Sequence, residues 1–187
     1  MKRIWLKFLN TPAFILLVAM AIAVQTSLFN SHPIRYFEPD FVLLAVIWCA
    51  LRRTFTEGGI LTLIFSVMVE SHSSSPQGFY MICYMSIFLG IRLFSRFFVI
   101  SQFASLISVT MGSSIALKFV HLVVVYSLSL FSHQWRHTLI QLLPSAGMAG
   151  LMGLWVYKAL DRFDQMTFKT ERSRQLVEDE LLVEEGL

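Results

Sequence analysis

Six apolar segments separated by short polar stretches run along the chain. They cover residues 14–29, about 39–51, 58–69, 79–94, 98–131 and about 139–160. Each segment predicts one α-helix. The fifth is long enough for two helices, but it contains no Pro and no turn signal stronger than Gly112-Ser113-Ser114, so one long, tilted helix is favoured.

The second and third segments are short and carry acids at their outer ends. The second spans 13 residues from Pro39 to Leu51, which is about 20 Å of helix against a hydrocarbon core of about 30 Å. Pro39 suits a first helical turn, and Asp40 would lie at the positive end of the helix dipole. The third segment ends in Glu70. Because carboxylates are costly in lipid, we expect Asp40 and Glu70 to face protein or a water-filled recess.

The composition is typical of integral membrane proteins. Of the 187 residues, 56% are hydrophobic and 14% are charged, and the mean hydropathy is +0.65. A water-soluble domain of this size cannot bury so much apolar surface. Cys49 and Cys83 lie in apolar runs and predict neither a disulfide nor a metal site. The sequence pI is near 9.0, yet the basic residues lie at segment ends, which argues against a nucleic-acid partner.

The basic residues also predict the orientation. With a cytoplasmic N-terminus, 12 of the 15 Lys and Arg residues fall inside, two fall outside, and Lys118 lies within the fifth segment. The inside group is Lys2, Arg3, Lys7, Arg52, Arg53, Arg92, Arg96, Lys158, Arg162, Lys169, Arg172 and Arg174. A topology with five or seven spans would not keep these basic residues on one side of the membrane. We therefore predict an all-α integral membrane protein with six transmembrane helices and both termini in the cytoplasm.

Residues 161–187 form a different kind of segment. They hold eight of the 12 acids and four of the cations, and they end in the acidic stretch EDELLVEEGL. We predict a six-helix transmembrane domain over residues 1–160. A charged cytoplasmic tail over residues 161–187 would be helical to about Arg174 and disordered beyond.

Small residues form stripes on two of the predicted helices. They recur every four positions at Ser145, Ala149 and Gly153 on the sixth segment, and at Ala19 and Ala23 on the first. A flat stripe of this kind lets another helix approach closely. It is compatible with packing inside the bundle and with docking of a partner's transmembrane helix, and the sequence leaves both open.

Lys118 is the one cation far from both ends of an apolar segment, 20 residues into the fifth. Its ammonium group would either extend to the outer interface or form a buried ion pair with Glu70. His72, in the Ser-rich stretch 71–75, is typical of a solvated loop residue. We find no Walker loop, zinc spacing or nucleophile triad in the sequence, and we predict neither an enzyme nor a bound cofactor or metal.

Three stretches in a fixed order resemble a known family. They are EPDFVLLAVIWCAL, GGILTLIFSVMVESHSSSPQG and YMICYMSIFLGIRLFSR. This order, with a basic turn between the first two, resembles MreD, the rod shape-determining membrane protein family of bacteria. The resemblance is clearest over residues 37–96. The chain differs from the family at Glu70, where members usually carry Asp, and at Ser73-Ser74-Ser75-Pro76, where they carry a Gly-rich loop.

The resemblance implies a non-enzymatic scaffold of the cell-elongation complex in the bacterial cytoplasmic membrane. Its partners would be a bitopic MreC-like protein and, through it, an MreB-like filament, a RodA-like glycosyltransferase and a penicillin-binding transpeptidase. The resemblance also implies an architecture similar to the substrate-binding subunits (S-components) of energy-coupling-factor transporters. The alternative function is therefore such a vitamin-binding subunit, with Asp40, Glu70 and His72 as the polar residues of its outer pocket.

Overall fold

Six α-helices and no β-strand make up the described part of the chain. The computed structural model describes residues 2–28, 39–73, 75–95, 103–127 and 134–166. The helices are α1 (Lys2–Leu28), α2 (Phe41–Arg52), α3 (Phe55–Ser71), α4 (Phe79–Ser95), α5 (Phe103–Ser127) and α6 (Gln134–Met166). The prediction of an all-helical chain with one helix per apolar segment is confirmed for these residues.

The first and last helices extend furthest beyond the apolar segments that predict them. α1 begins at Lys2 and passes through Pro12, and α6 extends through Pro144 to Met166. The bundle therefore continues past the boundary predicted after residue 160. α5 is a single helix through Gly112, as predicted, while residues 98–102 and 128–131 of that segment lie outside the described residues. Residues 167–187, the remainder of the predicted tail, also lie outside them.

α2 is the central helix of the bundle. Its residues 42–50 are all buried, and it contacts each of the other five helices. A helix that is apolar on every side is stable only when neighbours cover every side. The short length of α2 agrees with this central position, because protein surrounds it along its whole length.

Aromatic and small side chains hold α2 to its neighbours. The ring of Phe14 on α1 lies 5.2 Å from that of Trp48 on α2 and 5.4 Å from that of Phe65 on α3, measured between centroids. Gly58 lets α3 approach both α2 and α4. A Cβ atom at this position would lie 2.9 Å from Cε2 of Phe88 and 3.2 Å from the carbonyl oxygen of Cys49.

α5 and α6 pack closely because small residues of α6 face α5. A Cβ on Gly150 would lie 2.7 Å from Cγ of Met111, and one on Gly153 would lie 2.8 Å from Cγ2 of Thr110. The stripe predicted on this helix is buried at Ser145, Ala149 and Gly153. These residues therefore serve packing inside the bundle.

Two helical stretches among the described residues are long and apolar enough to cross a membrane. They are Leu9–Ser27 in α1 and Ser105–Ser127 in α5, and most of the residues in both are not buried. α2 and α4 are apolar but shorter. Large apolar side chains also remain exposed around the bundle, among them Leu16, Phe119 and Trp155.

Candidate functional site

The two ends of α2 carry the charged groups that the sequence singles out. Asp40 precedes the first turn of α2, and Arg53 follows its last turn. We call Asp40, Gln25, Tyr84 and Lys118 the Asp40 cluster. We call Asn10, Arg53, Glu57, Arg92 and Asp164 the Arg53 cluster.

The Asp40 cluster is built on a helix cap. Oδ1 of Asp40 accepts the backbone N–H of Leu43 at 2.8 Å, as expected for an N-cap residue. Oδ2 accepts the hydroxyl of Tyr84, on α4, at 2.9 Å. Oε1 of Gln25, on α1, accepts the backbone N–H of Phe41 at 3.3 Å. The carboxylate and the first turn of α2 are thereby attached to two neighbouring helices.

Lys118 reaches this cluster from α5. It is half-buried, and its positive charge lies within electrostatic range of the Asp40 carboxylate and of His121. The sequence hypothesis pairs Lys118 with Glu70 instead. Within the described residues no ion pair joins these two side chains. Asp40, which the sequence places at the start of α2 and in an outer recess, lies within electrostatic range of Lys118.

Glu70, His72 and Pro39 have separate surroundings. Oε1 of Glu70 accepts the backbone N–H of Met81, in the first turn of α4, at 3.2 Å. This places an acid at the positive end of a helix dipole. The Nδ1 atom of His72 lies 2.8 Å from the carbonyl oxygen of Met68, and the side chain is exposed. Pro39 is buried.

The Arg53 cluster is a buried network that joins distant parts of the chain. The Arg53 side chain is fully buried, and one of its terminal nitrogens donates to Oδ1 of Asp164 and to Oδ1 of Asn10, each at 2.8 Å. The amide nitrogen of Asn10 donates to the same carboxylate oxygen at 2.9 Å. Three residues of α1, α6 and the end of α2 therefore form a closed triangle of hydrogen bonds.

Further contacts complete the network around Arg53. Its other terminal nitrogen lies 3.4 Å from Oε1 of Glu57, and its guanidinium group lies 4.9 Å above the ring of Trp48. A terminal nitrogen of Arg92, on α4, donates to the backbone oxygen of Arg53 at 2.8 Å. Two cations and two carboxylates thus balance in charge, while Nε and Nη1 of the buried guanidinium have no hydrogen-bond partner among the described residues.

A second arginine at the same end is paired in a more exposed way. Nε of Arg52 donates to the hydroxyl of Tyr157 at 2.5 Å, and a terminal nitrogen lies 3.6 Å from Oδ1 of Asp161. Both charged side chains of this pair remain about a quarter exposed, at 25% and 24%. Asp161 and Asp164 belong to the segment predicted as tail, so its first turns are part of the bundle.

The charge pattern of the sequence marks Arg52 and Arg53 as residues of the cytoplasmic side but does not reveal their partners. The hydrogen bond between Asn10 and Asp164 joins residues 154 positions apart. The available signal is the polar Asn10 just before the first apolar segment, because a buried amide needs a partner. The other predicted docking stripe, on α1, has Ala19 half-buried and Ala23 exposed.

Among the described residues there is no group of three or more His, Cys, Asp or Glu side chains placed to hold a metal ion. No protein-family model, no curated protein and no solved structure matches the chain significantly. What the chain does is therefore inferred from its residues and contacts.

Proposed function

We propose that this chain is an MreD-like scaffold of the bacterial cell-elongation complex, acting in the cytoplasmic membrane without catalysis of its own. It binds an MreC-like bitopic protein. Through that protein it is connected to an MreB-like filament, a RodA-like glycosyltransferase and a penicillin-binding transpeptidase, and so to peptidoglycan synthesis and cell shape.

One structural observation carries the proposal. The polar residues of the resembling stretches contact one another at both ends of α2. Asp40 of the first stretch accepts the hydroxyl of Tyr84 in the third, and Arg92 of the third donates to the backbone of Arg53. The residues that carry the resemblance to MreD therefore form one packed unit, α2 to α4.

Other contacts of the Arg53 cluster support six membrane spans with both termini on one side. Asn10 near the beginning of α1 and Asp164 near the end of α6 bind the same arginine, so these ends of the two helices lie together. The basic residues that we assign to the cytoplasm include Arg53 and Arg92 at this end. A reporter active only in the periplasm is expected to be silent after Leu187 and active when inserted near Ser74. The opposite pattern would overturn the orientation.

No observation favours the alternative, a vitamin-binding transporter subunit. That function needs Asp40, Glu70 and His72 as free polar groups of one outer pocket. In the structure Asp40 caps α2, Glu70 accepts a backbone N–H of α4, and His72 contacts the end of its own helix. Each of the three side chains therefore already has a hydrogen-bonding neighbour in its own part of the bundle.

The test is co-purification from membranes. The tagged chain is co-expressed with the MreC-like protein of the same bacterium and extracted in mild detergent, with an unrelated single-span protein of similar abundance as control. We expect the tagged chain to retain the MreC-like protein and not the control protein. A chain truncated after Arg174 should retain the MreC-like protein as well. If the full-length chain retains no MreC-like protein, the proposal is wrong. If only the truncated chain fails, the tail is the binding element.

A further inference from the structure

The outer surface of α3 is apolar over a short distance only. Its exposed large apolar side chains are Ile60, Leu63 and Val67, together with Phe55 at its start. Ile60, Leu63 and Val67 lie between two carboxylates, Glu57 in the first turn and Glu70 in the last, and both acids are half-buried. These acids are 13 positions apart, which is about 20 Å along the helix. The apolar band on this side of the bundle is therefore about 20 Å high.

Polar groups limit the apolar surface of α4 in the same way. The Glu70 carboxylate accepts the backbone N–H of Met81 in the first turn of α4, and Arg92 in the last turn donates to the backbone oxygen of Arg53. Met81 and Arg92 are 11 positions apart, or about 17 Å. Because these contacts hold both charged side chains against the bundle, extension of the side chains toward water does not lengthen the band.

α5 presents a much longer apolar surface to the outside. It has 25 residues, which is about 37 Å of helix. Its exposed large side chains are all uncharged, namely Met111, Ile115, Phe119, Val123 and Tyr126. Lys118, the one Lys or Arg of α5, is half-buried and lies within electrostatic range of the Asp40 carboxylate. α5 can therefore cross a hydrocarbon core of about 30 Å, whereas the apolar bands of α3 and α4 cannot.

We infer that the lipid bilayer is thinner beside α3 and α4 than beside α5, with a hydrocarbon core shortened to about 20 Å on the short side of the bundle. The inference rests on the membrane location in the proposed function and not on the MreC-like partner. Tilting shortens the span of a helix across the membrane, so it accommodates α5 but not α3 or α4. Charged side chains in hydrocarbon are costly, and thinner lipid keeps Glu57, Glu70 and Arg92 at the interface.

Spin labels at matched depths test the inference. Both cysteines of the chain are buried, so a thiol-reactive nitroxide attaches to a cysteine introduced at an exposed position. The α4 pair is Ile82→Cys and Leu93→Cys, and the control pair on α5 is Ser108→Cys and Phe119→Cys. All four native side chains are exposed, and the two positions of each pair are 11 residues apart. Each labelled chain is reconstituted into vesicles of dioleoyl phosphatidylcholine.

Collision of the label with a water-soluble nickel complex measures how close each position lies to water. Without thinning the two pairs would be equally deep, because their spacing along the helix is the same. We expect the collision rate to be about tenfold higher at both α4 positions than at the α5 pair, since polar solutes are excluded from hydrocarbon. Equal rates for the two pairs would overturn the inference and leave the membrane location intact. High rates at all four positions would overturn both.

A change of lipid distinguishes thinning from two other causes of the same difference. Dimyristoleoyl phosphatidylcholine has shorter acyl chains and forms a thinner bilayer, so the difference between the pairs should shrink in it. An unchanged difference would mean that water enters a fixed recess of the protein. Low collision rates at the α4 pair with both the nickel complex and dissolved oxygen would mean that protein covers this side. Either result would overturn the inference.

Discussion

The two ends of α2 use charge in different ways. At one end Arg53 is fully buried and bound by groups from α1, α3 and α6. At the other end Asp40 is partly exposed, held by its own helix and by one tyrosine, with Lys118 near enough for an electrostatic interaction. The two clusters therefore differ in how many helices depend on a single charge.

Because of this difference, we expect the two clusters to contribute unequally to the stability of the fold. Because a buried charge without a partner is strongly unfavourable, the Arg53 cluster holds α1, α2 and α6 in one arrangement. The Asp40 cluster should lose less when one contact is removed, because Asp40, Gln25 and Lys118 are partly exposed to solvent, although Tyr84 is buried. We therefore expect substitutions at the Arg53 end to affect folding, and those at the Asp40 end to have smaller effects.

The largest effect is expected for Asp164→Ala. The substitution leaves Arg53 buried with Glu57, at 3.4 Å, as its remaining carboxylate, and should lower the free energy of unfolding by about 3–5 kcal/mol. Thermal unfolding in detergent measures this. The matched control is Asp161→Ala, which removes the exposed pair with Arg52 and should cost about 0–1 kcal/mol. Equal losses for the two variants would show that the buried network has no special role.

A smaller loss is expected for Gly58→Ala, near the Arg53 end. The new methyl group would lie 2.9 Å from the Phe88 ring and 3.2 Å from the Cys49 carbonyl. That carbonyl is fixed, because it accepts the backbone N–H of Arg53 at 3.0 Å. Overpacking of this kind costs about 1–3 kcal/mol, measurable by the same thermal unfolding. Gly90→Ala serves as the control and should be neutral or stabilising by up to about 1 kcal/mol. If Gly58→Ala leaves the unfolding temperature unchanged, α3 can move away from α2.

At the Asp40 end, Tyr84→Phe tests the hydrogen bond to the carboxylate. Loss of the hydroxyl leaves Oδ2 of Asp40 without this donor and should cost about 1.5–3 kcal/mol, the range for bonds to charged groups. Tyr80→Phe is the control, because the Tyr80 ring stacks on Tyr84 with centroids 6.0 Å apart and the substitution keeps that ring. If both variants unfold at the temperature of the unsubstituted chain, the bond contributes nothing to stability.

The smallest effect concerns Lys118. A double-mutant cycle with Asp40→Asn and Lys118→Met should give a coupling energy of up to about 1 kcal/mol, typical of a partly exposed pair. The corresponding cycle with Glu70→Gln should be additive within about 0.5 kcal/mol, because Glu70 binds the backbone of α4 instead. Stronger coupling to Glu70 than to Asp40 would restore the ion pair expected from the sequence.

Local features of this chain could be derived from the sequence alone. The apolar segments indicate all six helices because each is a continuous run bounded by polar residues, and Asp40 could be recognised as a cap because capping involves only the next few residues. The ends of the helices could be derived less accurately from the sequence. Pro12 and Pro144 did not end their helices, and α6 continued into the acidic segment, since neighbouring helices there offer partners to Asp161 and Asp164.

Only the tertiary structure decided which residues meet across the bundle. The partners of Arg53, the electrostatic interaction of Lys118 with Asp40 and the internal use of the α6 stripe all depend on how each helix is rotated about its axis. Sequence periodicity reveals that rotation when one side of a helix is polar. These helices are apolar on almost every side, so their rotation follows from side-chain packing and from a few buried polar contacts, such as Asn10 with Asp164.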